Sequence, residues 1–163
     1  MYEMDKIDLA IVNLLIEDGR MPASEIARRL KGVTGRIVRY RIDRMVEEGL
    51  IQVSAVVKPQ ALGLSTIADI LLEVESDSIL EVAQKVTMFE CVSYVACSIG
   101  ETDVSVQIFA RDTDEVYRFV TNVLGKIPGV RKTITSIVPM ILKDVYQWRI
   151  PSSVDIDGVN RKK

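Results

Sequence analysis

The hydrophobic period of this chain changes once, at Gly49, and that change restricts the fold more than any single motif. Before it, apolar residues recur every three or four positions: Ile7, Ala10, Ile11, Leu14 and Leu15, then Ala23, Ile26, Ala27 and Leu30, then Val38, Ile42 and Met45. That spacing lines one side of a helix. After Gly49 come short apolar runs of strand character: IQVSAVV (51–57), TIADILLEV (66–74), VSYVACSI (92–99), VSVQIFA (104–110) and TITSIVPMIL (133–142). Two helical stretches interrupt them. Ser78-x-x-Glu81 reads as a capping box opening a helix to Val86. Asp112-x-x-Glu115 opens another, with Val116, Phe119, Val120 and Val123 at helical spacing.

Boundary residues sharpen the first part. Asp5 and Asp8 fall in the first turn of a helix that ends near Asp18-Gly19. Pro22 opens a second helix and Gly32 breaks it. Thr34 is the N-cap of a third, which runs to about Glu48 and closes at Gly49. Three short helices, the last two joined by a tight turn, form a helix-turn-helix pattern. The chain is therefore α+β. A three-helix helix-turn-helix domain occupies 1–50, a linker strand and turn 51–64, and a β-α-β-β-α-β domain in the ferredoxin-like order 65–150. Residues 151–163 read as a mobile tail.

Charge is concentrated in one place. The chain carries 21 Lys and Arg against 23 Asp and Glu. Yet residues 28–44 hold seven basic residues (Arg28, Arg29, Lys31, Arg36, Arg39, Arg41 and Arg44) against Asp43 alone. A patch so confined calls for a local anionic partner. At 100° per residue, Val38, Ile42 and Met45 share one side of the third helix. Arg36, Tyr40 and Arg44 form a stripe on the other, flanked by Arg39 and Arg41. The stripe is about 12 Å long at the helical rise, which spans about four base-pair steps of a DNA major groove. Arginine forks can bond guanine edges, and tyrosine can stack or bond a phosphate. Thr34, Arg36, Arg39, Tyr40 and Arg44 are the candidate DNA-binding residues. The alternative is a solvated face holding i, i+4 ion pairs, Arg39–Asp43 and Arg44–Glu48. Arg28, Arg29 and Lys31 either meet phosphates or complement the end of the second helix.

Other chemistry is thinly represented. The chain contains no histidine, which removes the commonest general base and zinc ligand. Cys91 and Cys97 have no metal-site or redox-motif spacing and read as buried thiols. No metal, cofactor or catalytic set emerges. No apolar run approaches the roughly 20 residues that span a bilayer, and the N-terminal residues lack a secretory pattern; a cytoplasmic protein is expected.

In a βαββαβ fold both helices cover one face of the sheet. Alternation turns Val104, Val106 and Ile108 toward them. It leaves Ser105, Gln107 and Phe109 on the open face, with Ile67, Asp69 and Leu71 on the first strand and Thr133, Thr135 and Ile137 on the last. A partly apolar open face needs a cover, most simply a second subunit. Asp69 sits oddly there unless it is paired or at a solvated edge.

The segments EIARRL (25–30), RIDRMVEEGLI (41–51), PQALG (59–63), GETD (100–103) and IPGV (127–130), in this order and spacing, resemble the Lrp/AsnC (feast/famine) transcription regulators. The resemblance covers residues 5–145. It implies a regulator that binds pseudo-palindromic double-stranded DNA as a homodimer or higher homo-oligomer, with 34–48 as the recognition helix. It also implies an amino-acid effector, held by Gly100, Glu101, Thr102 and Asp103 and by Thr133 and Thr135 on a facing strand. Backbone N–H groups beside a glycine and threonine hydroxyls can take an α-carboxylate, and Asp103 an ammonium. Read without the family, Gly100 to Asp103 is a hairpin turn. Glu101 and Thr102 replace the family's usual Asp-Tyr pair, and the LKGVT connection is one residue longer than usual. Two other readings stay open: an effector-independent architectural DNA-binding protein, and a small metabolic enzyme or allosteric subunit.

Overall fold

The computed structural model describes residues 2–151 and 154. The chain forms two compact units. One holds the N-terminal residues to Val56 together with the segment from Lys143 onward; the other, Val57–Leu142, is inserted between them.

In the first unit, helix α1 (Lys6–Glu17) is started by two aspartates. The Asp5 carboxylate accepts the backbone N–H groups of Ile7 at 2.8 Å and Asp8 at 2.9 Å, and the Asp8 carboxylate accepts that of Asp5 at 3.0 Å. This reciprocal box satisfies donors that the first turn leaves unpaired. Helix α2 (Ala23–Leu30) follows Pro22. Helix α3 (Gly35–Glu47) is capped by the Thr34 hydroxyl, which accepts from Ile37 at 3.3 Å. It ends where Gly49 takes φ +69° and the Leu50 N–H reaches the Met45 carbonyl at 2.9 Å, a glycine-dependent stop. Ile11, Ile26, Val38 and Met45 are wholly buried where the three helices meet. The α2–α3 turn places Lys31 at φ +49° and Gly32 at φ +83°. A Cβ on Gly35 would lie 3.4 Å from the Ser24 backbone. The missing side chain therefore faces α2, not the solvent side that could meet a phosphate.

The structure corrects the linker. Residues 51–57 form no strand, and Val53, Val56 and Val57 are exposed. The alternating pattern is present, but within one chain the segment has no neighbour to hydrogen-bond with, and a strand exists only as part of a ladder. Residues 51–56, α1 and Tyr146 line a groove of about 600 Å³. The C-terminal boundary also moves. The segment from Lys143 belongs to the first unit, where Ile150 packs on the helical core, so the second unit stops at Leu142 and not at residue 150. Apart from Pro151 and Val154, the tail expected at 151–163 lies outside the described residues.

The second unit has the expected order: β1 (Thr66–Val74), α4 (Ile79–Val86), β2 (Val92–Cys97), β3 (Val104–Ala110), α5 (Thr113–Asn122) and β4 (Val130–Val138). The antiparallel sheet runs β2-β3-β1-β4. Ala68, Ile70, Leu72, Val104, Val106 and Ile108 pack beneath α4 and α5 with Val82, Val86 and Val116. The Asp112 carboxylate caps α5 through Glu115 N at 2.7 Å.

Four details differ from expectation. Strand β2 ends at Cys97, short of Ile99. Strand β4 begins at Val130 and ends at Val138, because Pro139 follows and has no N–H to give to the ladder. The Ser78–Glu81 capping box does not form. Ser78 already has a helical-type ψ of −2°, and its hydroxyl donates to Asp77 at 3.1 Å. Finally, the register pairs Leu72 with Thr133, Ile70 with Thr135 and Ala68 with Ile137. Directly opposed residues share a face, so Thr133, Thr135 and Ile137 lie on the helix side. Ile134, Ser136 and Val138 take the open face instead. The pairing with β1 sets this parity, and it becomes irregular only where Arg131 is skipped between the Glu73–Lys132 and Val74–Val130 pairs.

Gly129 joins α5 to β4 at φ +90°, and a Cβ there would fall 2.7 Å from the Cβ of Ser78. Gly129→Ala is expected to destabilise the second unit by about 2–3 kcal/mol through backbone strain and overlap with the start of α4. Denaturant unfolding followed by far-UV circular dichroism measures it.

Candidate nucleic-acid interface and effector loop

Helix α3 presents two chemically different sides. Val38 and Met45 are wholly buried and Ile42 is half-buried against the core. Thr34, Arg36, Arg39, Tyr40 and Arg44 are exposed, as the helical spacing requires. Neither alternative ion pair forms: Arg39 does not reach Asp43, nor Arg44 Glu48, within bridging distance. Among the described residues, Arg36 and Arg39 have no ion-pair or hydrogen-bond partner. Arg44 donates to the Tyr40 hydroxyl at 2.9 Å, and its guanidinium carbon lies 5.0 Å from the centre of the Tyr2 ring.

Arg41, expected to flank the stripe, points the other way. It donates to Asp5 and to Asp8, each at 2.8 Å. Asp8 has no exposed surface, and its other oxygen also accepts the Tyr2 hydroxyl at 2.8 Å. Arg41 therefore bolts α3 to the start of α1. The Asp8 and Asp5 hydrogen bonds push the already high pKa of its guanidinium further up. Burial and the bond to Asp8 push the Tyr2 phenol up to about 12. Burial acts to raise the Asp5 carboxyl, but the Asp8 N–H and Arg41 prevail and hold it below its ordinary value. Sequence reading took Asp5 and Asp8 only as helix-start signals. The spacing of three that makes the capping box also puts both carboxylates in reach of Arg41, but that meeting depends on helix packing and is invisible in the sequence.

Arg28 and Arg29 are held by carboxylates. Arg28 bridges Glu25 at 2.7 Å, and Arg29 bridges Glu25 at 3.0 Å and Glu17 at 3.3 Å. The Glu25 carboxyl is held low by Arg29 and Arg28.

In the second unit, Gly100 to Asp103 connect β2 to β3. The Ser98 N–H closes the hairpin on the Asp103 carbonyl at 2.7 Å. Asp103 is engaged twice more: its N–H donates to the Leu72 carbonyl at 2.9 Å, and its carboxylate accepts the Val74 N–H at 2.7 Å. The residue thus prolongs the β1–β3 ladder. Nothing lies within 4 Å of a Cβ position on Gly100, and Glu101 is exposed. Thr133 and Thr135 stand on β4, which β1 separates from β3 and its loop. They pair with Leu72 and Ile70, near the residues that Asp103 bonds. Across the open face, Gln107 donates to Asp69 at 2.9 Å, with Ser136 opposite Asp69 on β4. This is the pairing that Asp69 needs.

With both halves described, comparison places the chain. Residues 4–46 match the AsnC-type helix-turn-helix domain, and 67–147 match the Lrp/AsnC ligand-binding domain. An uncharacterised HTH-type transcriptional regulator of Pyrococcus horikoshii, PH0140, is 36% identical over 145 residues, covering 88% of this chain and 91% of that protein. The HTH-type transcriptional regulator FL11 of Pyrococcus abyssi is 35% identical over 148 residues, covering 90% and 97%. Among solved structures, E. coli AsnC superposes with a TM-score of 0.79 at 21% identity, covering 89% of this chain and 99% of that one. A Neisseria meningitidis regulator, NMB0573, solved with L-Met, gives 0.78 at 24%, covering 96% and 99%. These two likenesses establish the fold. The protein belongs to the Lrp/AsnC family of transcription regulators, with a DNA-binding helix-turn-helix domain and a ligand-binding domain. The families and relatives are regulators, not enzymes, which sets the enzyme reading aside. Among the described residues no helix is long and apolar enough to cross a membrane.

Removing Arg41 leaves Asp8 as a buried anion without its cation. Arg41→Met is expected to destabilise the first unit by about 3 kcal/mol, measured by thermal or urea unfolding. Asp5 adds a pH dependence. Its folded pKa is below its ordinary 3.8, so its contribution is present above that value and disappears as the pH falls through the folded value. The wild type should lose helix as the pH falls below about 4, and Arg41→Met should show a shallower loss over the same range.

Proposed function

We propose that the protein is a sequence-specific regulator that acts as a homodimer or higher homo-oligomer, inserts α3 of each subunit into the DNA major groove, and responds to an amino acid. The observation that supports this best is the division of arginines on α3. Arg41 is consumed by Asp5 and Asp8, whereas Arg36, Arg39, Tyr40 and Arg44 stand outward on a helix wide enough to fill a groove. Two such helices on successive grooves sit about 34 Å apart.

Self-association is supported by two surfaces that a single chain leaves open. The 51–57 segment has strand alternation without a strand partner. The open sheet face exposes Leu71, Tyr94 and Ile134 around the Asp69–Gln107 pair. The effector proposal places an amino acid at Gly100, Glu101, Thr102 and Asp103, with Thr133 and Thr135 contributing from β4. It is supported by the family's ligand-binding domain, by the L-Met that the Neisseria regulator holds, and by the open space at Gly100.

Replacing Arg36, Tyr40 and Arg44 together by alanine is expected to abolish the preference for operator over random duplex while the oligomer stays intact. Footprinting and light scattering check the two halves, and an unchanged footprint overturns the groove assignment. Asp103→Asn keeps an acceptor for Val74 N–H and removes the charge. An amino acid present at about 100 times its Kd should stabilise the wild type by about 2.7 kcal/mol and the variant by much less. Equal stabilisation of both in a thermal-shift screen places the effector elsewhere; no stabilisation by any amino acid favours the architectural reading.

A further inference from the structure

We infer that Tyr2 is a positioning residue for DNA binding: its ring sets the direction in which Arg44 presents its guanidinium to a DNA phosphate at the far end of α3. This rests on the groove assignment above.

The segment before α1 runs beside α3 and is fastened to it at several points. The Tyr2 N–H donates to the Glu48 carboxylate at 3.3 Å, at the C-terminal end of α3. The Tyr2 hydroxyl donates to Asp8, which is fully buried and bonded to Arg41. Asp5 bonds Arg41 from the same segment. Tyr2 itself packs against the helical core. The phenol is thus fixed at both ends, and its face is what Arg44 meets at 5.0 Å.

That contact decides what Arg44 can do. An arginine in the third turn of an exposed helix has several rotamers of similar energy. Stacking on a ring removes most of them and leaves the edge of the guanidinium fork, where its donors lie, unobstructed. The Tyr40 hydroxyl takes one donor at 2.9 Å and fixes rotation about the stacking axis. Recognition helices read bases with their N-terminal residues. Arg44 lies eight residues beyond Arg36, about 12 Å farther along the axis. The groove curves away there and a phosphate is the group within reach. A pre-oriented arginine meets it with less entropy to lose.

The test is a double-mutant cycle on the full-length oligomer, using a duplex selected from a random pool and titrated at several salt concentrations. Arg44→Ala should weaken binding and lower the salt slope by about one phosphate contact. Tyr2→Leu should weaken binding about two- to fivefold in the wild-type background and leave it unchanged in the Arg44→Ala background. Tyr2→Phe keeps the ring and loses only the bond to Asp8. Both Tyr2 variants should therefore lose thermal stability, while only Tyr2→Leu loses affinity. Equal losses of affinity for Phe and Leu, or a Tyr2→Leu effect that persists without Arg44, overturns the proposal. So does an Arg44→Ala variant that binds as wild type while Arg36→Ala does not. If neither arginine matters, the groove assignment itself fails.

Discussion

One buried carboxylate organises the DNA-binding unit. Asp8 is wholly out of solvent, and a carboxylate in that position survives only if its oxygens are fully engaged. It is engaged from three directions: the Asp5 N–H, the Tyr2 hydroxyl and the Arg41 guanidinium. Each bond fixes an element. The first closes the start of α1, the second ties down the N-terminal segment, and the third sets the rotation of α3 about its own axis. With Arg41 held inward, Arg36, Tyr40 and Arg44 are turned outward by the 3.6-residue period alone. The choice of which arginines face outward is thus made by a buried anion on another helix.

The second unit solves a different problem. Its helices cover one face of the sheet with aliphatic side chains and leave the other mixed. Asp69 and Gln107 meet near the middle of that open face, between Ser136 and Tyr94 in register. A satisfied polar pair amid apolar neighbours weakens nonspecific adhesion and favours a partner that aligns with it. Asp103 applies the same economy at the sheet's end, where one residue supplies an N–H, a carbonyl and a carboxylate oxygen to three separate bonds.

Much of this was legible in the sequence because it depends on local chemistry. The helix limits at Asp5, Thr34 and Gly49, the six main strands and helices of the second unit, and the inward set Val38, Ile42 and Met45 follow from caps and periodicity. What was not legible depends on partners. Residues 51–57 have strand composition but no ladder within the chain. Arg41 has the same intrinsic preference as Arg39, and only the packing of α1 on α3 brings Asp5 and Asp8 to it. Thr133 and Thr135 were assigned to the wrong face because register is fixed by pairing with β1, and a shift of one residue inverts every side chain. The capping box at Ser78 failed because Ser78 already has a helical-type ψ and its hydroxyl donates to Asp77, neither of which the S-x-x-E spacing reveals.

The second unit is inserted in the first, so it is joined at two places: near Val56 and near Lys143. The return connection leads directly from β4, which carries Thr133 and Thr135, to the segment whose Ile150 packs on the helical core. Residues 143 to 150 thus carry the chain back from the sheet of the second unit to the core of the first.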